Sequence, residues 1–580
     1  MARPSPFNIA GLRFDPARCV VVGPDGEERL EPKLMGVALC LSRRAGEVVT
    51  REALIGEVWN GYPGADQSLS NSVSRLRQLL RSQGSAADAI ETVTGTGYRL
   101  DPQVVSVATG TRIAVLPFRS IGGDREDEYL CEGLAEEVLN ALAGVSSLHV
   151  AARPATFALA GSGRPLAEIA SRLAVEYFVE GTVQRVSDSL RVRVSLIEAN
   201  SETQQWSRRF AFAWQDILSI QEAVARAVIS ALATSLELPV PSDTVATPPP
   251  VDADSYATFL KARFLWYHDN LNPGAALAHY RDLIDRVPDF AAPYAGAVDC
   301  LCTYAYWQLM DQQEARVQGL SLAARGLSLA DSSADAHFSH GYAQFYLAWD
   351  WDTARTALEK ALTIAPNHLQ ATSFLCILAA AQGRDTAAEA LARKLLQLDP
   401  VSGWSHFVAS GVLAWLRDHA AAARVALEGL SLSHQPVPCL WTGSFSLARL
   451  GRLEEGRVLA CRLQEAAEGR EFPLALAVAA HALCGARGRA ERLMEQLARR
   501  RAGSLNPIAL LFACSGLGDK TGALRALEAA FRERNAALFS AVREPLFDPL
   551  REDERFLRVL REMGLEDGAM AAQRVDARQE

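Results

Sequence analysis

The chain of 580 residues contains no run of about 18 consecutive apolar residues, the length a helix needs to cross a bilayer. The longest candidate, FPLALAVAAHALCGA (472–486), is too short and holds a histidine. The N-terminal stretch MARPSPFNIAGLRF lacks the apolar core of a secretion signal. Both absences predict a cytoplasmic protein with no membrane partner. There is no Cys-x-x-Cys motif among the ten cysteines. Cys300 and Cys302 form the closest pair, and two residues apart on a helix they point about 200° away from each other, which makes poor co-ligands. Reduced, buried thiols are expected instead. His268, His279, His337, His340, His368 and His406 are dispersed, and His337 with His340 lacks a third ligand. AGSGRP (160–165) has two glycines but no Lys-Ser/Thr after them, so it is not a phosphate loop. No nucleophile–base pair appears. The reading is therefore no metal, no cofactor, no catalytic residue and no enzyme. Excess positive charge is also missing, with 59 Lys+Arg against 68 Asp+Glu.

What is present starts near the N-terminus. In DQSLSNSVSRLRQLL (66–80), Leu69, Val73, Leu76 and Leu80 recur at helical period. The opposite face carries Ser70, Asn71, Ser74, Arg75, Gln78 and Arg81, with Arg77 at its flank. Asp66 or Ser68 is expected to cap the helix. Short hydrogen-bonding side chains with arginines suit base edges and phosphates, although a solvated helix face has the same composition. IETVTGTGYRL (90–100) reads as a hairpin whose glycines allow a tight turn. Upstream, RFDPARCVVVGPDGEERLEP reads as short strands. PKLMGVALCLSRRAGEVV and TREALIGEVW read as amphipathic helices, the second capped by Thr50.

Strands, three helices and a hairpin ending in Gly-x-Gly-Tyr-Arg resemble the OmpR-type winged helix over residues 6–102. The motifs TREAL with VW, LSNSVSRLR and TVTGTGYRL carry the resemblance. It implies that the third helix enters the major groove of double-stranded DNA and that the hairpin wing touches the minor groove. Ser70, Asn71, Ser74 and Arg75 would then face bases or nearby phosphates, Arg77 and Arg81 the backbone, and Arg99 would serve the wing. Thr94 stands where that family often has arginine. Residues 1–100 hold 12 Lys+Arg against 11 Asp+Glu. Phosphate neutralisation supplies much of DNA affinity, so binding as a homodimer or at tandem sites is expected.

Residues 112–236 alternate strand and helix patterns, which predicts an α/β domain with an open sheet. IAVLPF, YLCEGLAEEVLNAL, VAAR, EYFVEGTV and DILSIQEAVA resemble the TolB-amino-terminal or FlgO-like domain. Glu132, Glu136, Glu137 and Glu180 are its candidate carboxylates, with His149 and Arg153 near a strand end. Glu136-Glu137 reads as a solvated helix face. A ligand pocket at the sheet's carboxyl edge is the alternative.

PVPSDTVATPPPVDAD (239–254) is a proline-rich linker. Beyond it, helix pairs repeat about every 34 residues and stop at Pro366, Pro400 and Pro436. They resemble tetratricopeptide repeats, five to seven units over 255–535 within an array reaching 565. The resemblance implies a superhelix whose groove holds a protein or peptide partner; a dimerisation scaffold is the plainer reading. The aromatics of RFLWYHDN (263–270), Tyr304, Tyr306, Trp307 and YAQFYLAWDW (342–351) fit inter-repeat packing or a groove lining.

The expected chain is multidomain: a winged helix (α+β), an α/β open-sheet domain, then an all-α tetratricopeptide superhelix. The expected function is a one-component transcriptional regulator. The alternatives are a signalling scaffold whose winged helix no longer binds DNA, and a small-molecule receptor in residues 112–236.

Overall fold

A computed structural model describes residues 7–566, apart from 83–88, 102–104, 107–110, 123–126, 237–250, 269–272, 433–435, 500–504 and isolated positions at 10–11, 17, 24–25, 60, 63, 144, 146–147, 162, 174, 187, 200, 308 and 468. The linker at 239–250 and the side chain of Arg81 lie outside the described residues. The chain divides into two compact units, residues 1–111 with 146–149 and residues 112–145 with 150–580.

In the first unit, β1 (Phe7–Ile9), β2 (Leu12–Asp15), β3 (Val20–Gly23) and β4 (Gly26–Arg29) form an antiparallel meander. α1 (Pro32–Arg43) begins on proline, whose missing N–H costs nothing in a first turn. β5 (Val48–Thr50) leads into α2 (Arg51–Trp59), where the Thr50 hydroxyl accepts from the Ala53 amide at 3.2 Å. α3 (Asp66–Ser82) starts at Asp66 itself, and the Asp66 carboxylate is taken by Arg51 rather than by a cap. β6 (Ile90–Val93) and β7 (Gly97–Leu100) form the hairpin; β7 lies between β5 and β6. β8 (Val105–Ser106) joins the meander beside β1. Leu69, Val73, Leu76 and Leu80 are all buried, against Leu34, Leu41, Leu54 and Tyr98. The apolar stripe of α3 thus fixes which face stays open.

The second unit opens with β9 (Thr111–Val115), β10 (Arg119–Ser120), α4 (Glu128–Ala143), α5 (Arg153–Ala160) and α6 (Leu166–Leu173); β11 (Leu148–Val150) falls between α4 and α5 in the chain, and its first two residues are counted with the first unit. β12 (Tyr177–Val186) pairs in parallel with β9 and β10 and antiparallel with β13 (Ser189–Glu198). β13 continues antiparallel into β14 (Thr203–Ala213), and α7 (Ile217–Leu236) follows. α8 (Ala253–His268) starts a run of sixteen helices in eight consecutive pairs among the described residues, ending with Lys520–Arg532. That exceeds the five to seven units legible in the sequence.

The first helix of a pair is apolar nearly all round. Leu369–Ala381 buries eleven of its thirteen residues, whereas its partner Asp385–Leu398 buries Ala388, Ala392 and Leu395. A helix covered on all sides has apolar contacts on all sides. The cover on the inner side is the chain's own closing segment. Phe539 meets Phe345 at 4.9 Å, Tyr346 at 5.9 Å and Trp415 at 6.2 Å between ring centres, and Phe547 meets Phe512 at 4.9 Å. The Trp351 indole donates to the Met563 carbonyl at 2.6 Å, and the Trp415 indole to Glu544 at 2.9 Å. Arg543, fully buried, pairs with Asp385 at 3.0 Å, and Arg417 pairs with Asp548 at 2.7 Å. Tyr342, Phe345 and Tyr346 therefore serve inter-repeat packing.

Asp299, on Ala292–Trp307, has a buried Oδ1 with no hydrogen-bond partner. Burial, with Asp335 adding to it, pushes its carboxyl up to about 8. The native state then holds this proton up to about pH 8 while the unfolded chain releases it near pH 4. Stability from this group is present at acid pH and is lost as pH rises through 4 to 8. Asp299→Asn carries no such proton. The variant is expected to lose that slope and to exceed the parent by about 2–4 kcal/mol at pH 8.5 in urea unfolding. An unchanged slope would show that Asp299 is solvated.

Candidate nucleic-acid interface

The open face of α3 presents Asn71, Ser74, Arg75 and Gln78, all exposed. Asn71 accepts from Gln67 at 3.1 Å, a helix-surface pair that leaves the amide free to donate. Arg75 pairs with Glu31 at 2.6 Å, with half of its side chain exposed. Ser70, half-buried, is engaged: its hydroxyl donates to the Asp66 carbonyl at 3.0 Å and accepts from Arg51 at 3.1 Å. Arg99 faces Glu91 across the hairpin at 2.5 Å. Exposed pairs of this kind are worth at most about 1 kcal/mol, so Arg75 and Arg99 can exchange a carboxylate for a phosphate at little cost.

Arg77 sits differently. Its Nε and one terminal nitrogen donate to the Ile90 carbonyl at 3.0 and 2.7 Å, and that terminal nitrogen also donates to Thr92 at 2.7 Å. Arg77 thus fastens the hairpin to α3. Arg51 does the same from the other side: it donates to Asp66 at 3.1 Å, to the Tyr98 hydroxyl at 2.8 Å and to Ser70. The hydrogen bond to Asp66 holds its guanidinium above the ordinary value. Sequence reasoning passed over Arg51. The signal was a cation in the first turn of a helix, where the helix dipole disfavours it.

The wing tip is exposed at Thr94, Gly95 and Thr96. Gly95 has φ +77°, so the positive backbone angle expected of the glycines falls there. Gly97 does other work: a Cβ on it would lie 2.0 Å from the Val49 carbonyl oxygen.

The other candidate cluster lies in the second unit. Glu136 and Glu137 are not a solvated face. Glu136 is buried and Glu137 largely shielded, and Arg263 of α8 reaches them at 3.2 and 2.8 Å. Arg153 holds Glu132 at 2.8 Å and Glu136 at 3.3 Å, and the Tyr267 hydroxyl donates to Glu136 at 3.1 Å. Every carboxylate of this cluster faces a cation or a donor, so it reads as a structural lock. Among the described residues no group of three or more His, Cys, Asp or Glu side chains is placed to hold a metal.

A strand meander, three helices and a glycine-tipped hairpin, in that order, form a winged helix of the OmpR type. Residues 25–100 match the family described as transcriptional regulatory protein, C terminal. Residues 109–226 match the family described as HilA/YgeH-like transcriptional regulator, second domain. Among curated proteins, a putative adenylate cyclase 3 of Rhizobium meliloti is 28% identical over 253 residues, 41% of this chain and 40% of that one. The transcriptional regulator HilA of Salmonella typhimurium is 22% identical over 318 residues, 53% of this chain and 55% of that one. The transcriptional regulatory protein AfsQ1 of Streptomyces coelicolor is 38% identical over 85 residues, 14% of this chain and 38% of that one. The chain spans about half the length of the first curated relatives it matches.

Proposed function

We propose that the chain is a one-component, cytoplasmic transcriptional regulator. The winged helix reads double-stranded DNA through Asn71, Ser74, Arg75 and Gln78, with Thr94 and Arg99 on the wing. The observation that carries this is the exposed polar row on α3, held in register by Arg51 and Arg77. Arg77 and Ser70 act in this reading as supports of the interface rather than as contacts. No helix of the described residues is long and apolar enough to cross a membrane. The eight helix pairs take a protein partner, on surfaces other than the inner one already covered by residues 536–563. The likeness to a named adenylate cyclase leaves a nucleotide-handling reading as the competitor; it is tested by turnover of ATP with the purified chain.

The main test is selection of genome fragments with the full chain, then titration of the best fragment. Asn71→Ala and Arg75→Ala are each expected to weaken binding to it by about 1–3 kcal/mol with the melting temperature unchanged. Enrichment of no sequence by the folded chain would favour the scaffold reading.

A further inference from the structure

Half of one face of the second unit's sheet is open, and it is basic. The residues that face each other across the strands fix which side chains share this face. Arg119 of β10 lies opposite Thr182 of β12, Thr182 opposite Arg193 of β13, and Arg193 opposite Arg209 of β14. The next row runs Gln184, Arg191 and Ala211. Along β13 the order Arg191-Val192-Arg193-Val194 sends arginine to one side and valine to the other. Val192 and Val194 are buried, while Arg191, Arg193 and Arg209 are exposed. The other half of the same face is covered by α5 and α6, which pack on Phe178 and Ile197. That cover stops before the arginines.

Among the described strand residues, four arginines thus share an open surface with one carboxylate, Glu180, which faces Arg119 at 3.7 Å. Asp188 lies in the turn beyond β12. Arg193 and Arg209 stand directly across from each other with no acid between them. Like charges in directly opposed positions destabilise a sheet, and a surface with no task mixes its signs. The whole chain carries a net charge of −9, so a concentration of arginine here runs against its average. The winged helix meanwhile has 12 cationic against 11 anionic residues in positions 1–100. DNA affinity draws on phosphate neutralisation, and that domain supplies little of it.

We propose that this sheet face is a second DNA-contacting surface, on which Arg119, Arg191, Arg193 and Arg209 meet the phosphate backbone without reading sequence. The inference rests on the DNA-binding reading above and adds the surface that gives it affinity. The arginines are long and exposed, and among the described residues only Arg119 has an ion-pair partner, so they reach phosphates without breaking a buried contact. Among the described residues no aromatic side chain stands on the open half of this face, so nothing there stacks on bases, and its exposed apolar side chains are the aliphatic Ile121 and Val186; the arginines assign it to the backbone.

The test uses the full chain, one selected fragment and one random fragment of equal length, titrated at four salt concentrations. The double variant Arg193→Ser/Arg209→Ser is compared with Asn71→Ala. Each lost phosphate contact removes about 0.9 from the slope of log affinity against log salt. The arginine variant is expected to bind both fragments more weakly by the same factor, with a slope shallower by about 1–2. Its melting temperature should be equal or higher, because a repulsion has been removed. Asn71→Ala should instead narrow the difference between the fragments, by about 1–3 kcal/mol, and leave the slope in place. Arg191→Ser alone should move the slope in the same direction as the double variant. A parent that binds DNA and an arginine variant with its slope intact would overturn the proposal and leave an acidic protein as the partner of this face. A changed ratio between the two fragments would overturn it as well. If the parent binds neither fragment, the DNA-binding reading falls and takes this one with it.

Discussion

Arg263→Ala is expected to lower the unfolding free energy of the second unit by about 3–5 kcal/mol at pH 7.5. Arg263 stands on α8, the first array helix, and both its carboxylate partners stand on α4, more than 120 residues earlier. The two helices touch closely here. A Cβ on Gly133 would lie 2.8 Å from a Leu260 methyl, so α4 and α8 meet where α4 has no side chain. Water cannot fill in behind a missing guanidinium in such a contact. Glu136 would keep Arg153 and Tyr267, but among the described residues Glu137 would keep no cation. Burial already raises the Glu137 carboxyl above its ordinary value, with Arg263 opposing the shift. Without Arg263 the carboxyl rises further. A raised carboxyl stabilises the native state below the unfolded pKa and loses that contribution as pH rises through the folded value. The deficit of the variant should therefore be larger at pH 7.5 than at pH 5, since a raised carboxyl takes up its proton earlier as pH falls. Urea unfolding at both pH values measures it. A deficit under about 1 kcal/mol at both would return the cluster to the solvated class of exposed pairs.

That cluster shows what a sequence withholds. Glu136-Glu137 looks like an ordinary polar helix face because two of its partners lie 126 and 131 residues away, and the third, Arg153, lies beyond the next strand. Nothing within reach of a helical or strand period hints at them. The closing segment is similar: Phe539, Phe547 and Arg543 sit among inner helices, and no local pattern tells a covered groove from an open one. By contrast the stripe of Leu69, Val73, Leu76 and Leu80 was legible, since a helix's period is written in adjacent residues. So were the Thr50 cap and the glycine turn, which depend on one or two neighbouring positions. The polar face of α3 was legible as a face. Which of its residues were already spent was not. Arg77 and Ser70 are consumed by Ile90, Thr92, Arg51 and Asp66, partners set by how α3 packs on the hairpin and α2.

The wing separates two reasons for glycine, and a pair of substitutions should separate them by experiment. Gly97→Ala is expected to cost about 3 kcal/mol, the upper end of overpacking, and to remove most DNA affinity. The added methyl would meet the Val49 carbonyl oxygen at 2.0 Å and the Thr50 Cα at 2.8 Å. Both are backbone atoms of β5, and β5 pairs with β7 at this point. No rotamer relieves such a clash, so the strands must part. Parting them also frees Tyr98, which anchors Arg51, and so loosens the grip of Arg51 on Asp66 and Ser70. The recognition face of α3 then loses its register. Gly95→Ala places its methyl in open space, and the strain is that of a left-handed alanine alone, about 1–2 kcal/mol. Its turn bond, from the Thr96 amide to the Val93 carbonyl at 3.0 Å, can survive. Hydrogen exchange at β7 should accelerate strongly in the first variant and little in the second, and fragment binding should follow the same order. If both variants bind DNA as the parent does, the wing is dispensable. The helix face would then read DNA without the support that Arg51 and Arg77 provide through the hairpin.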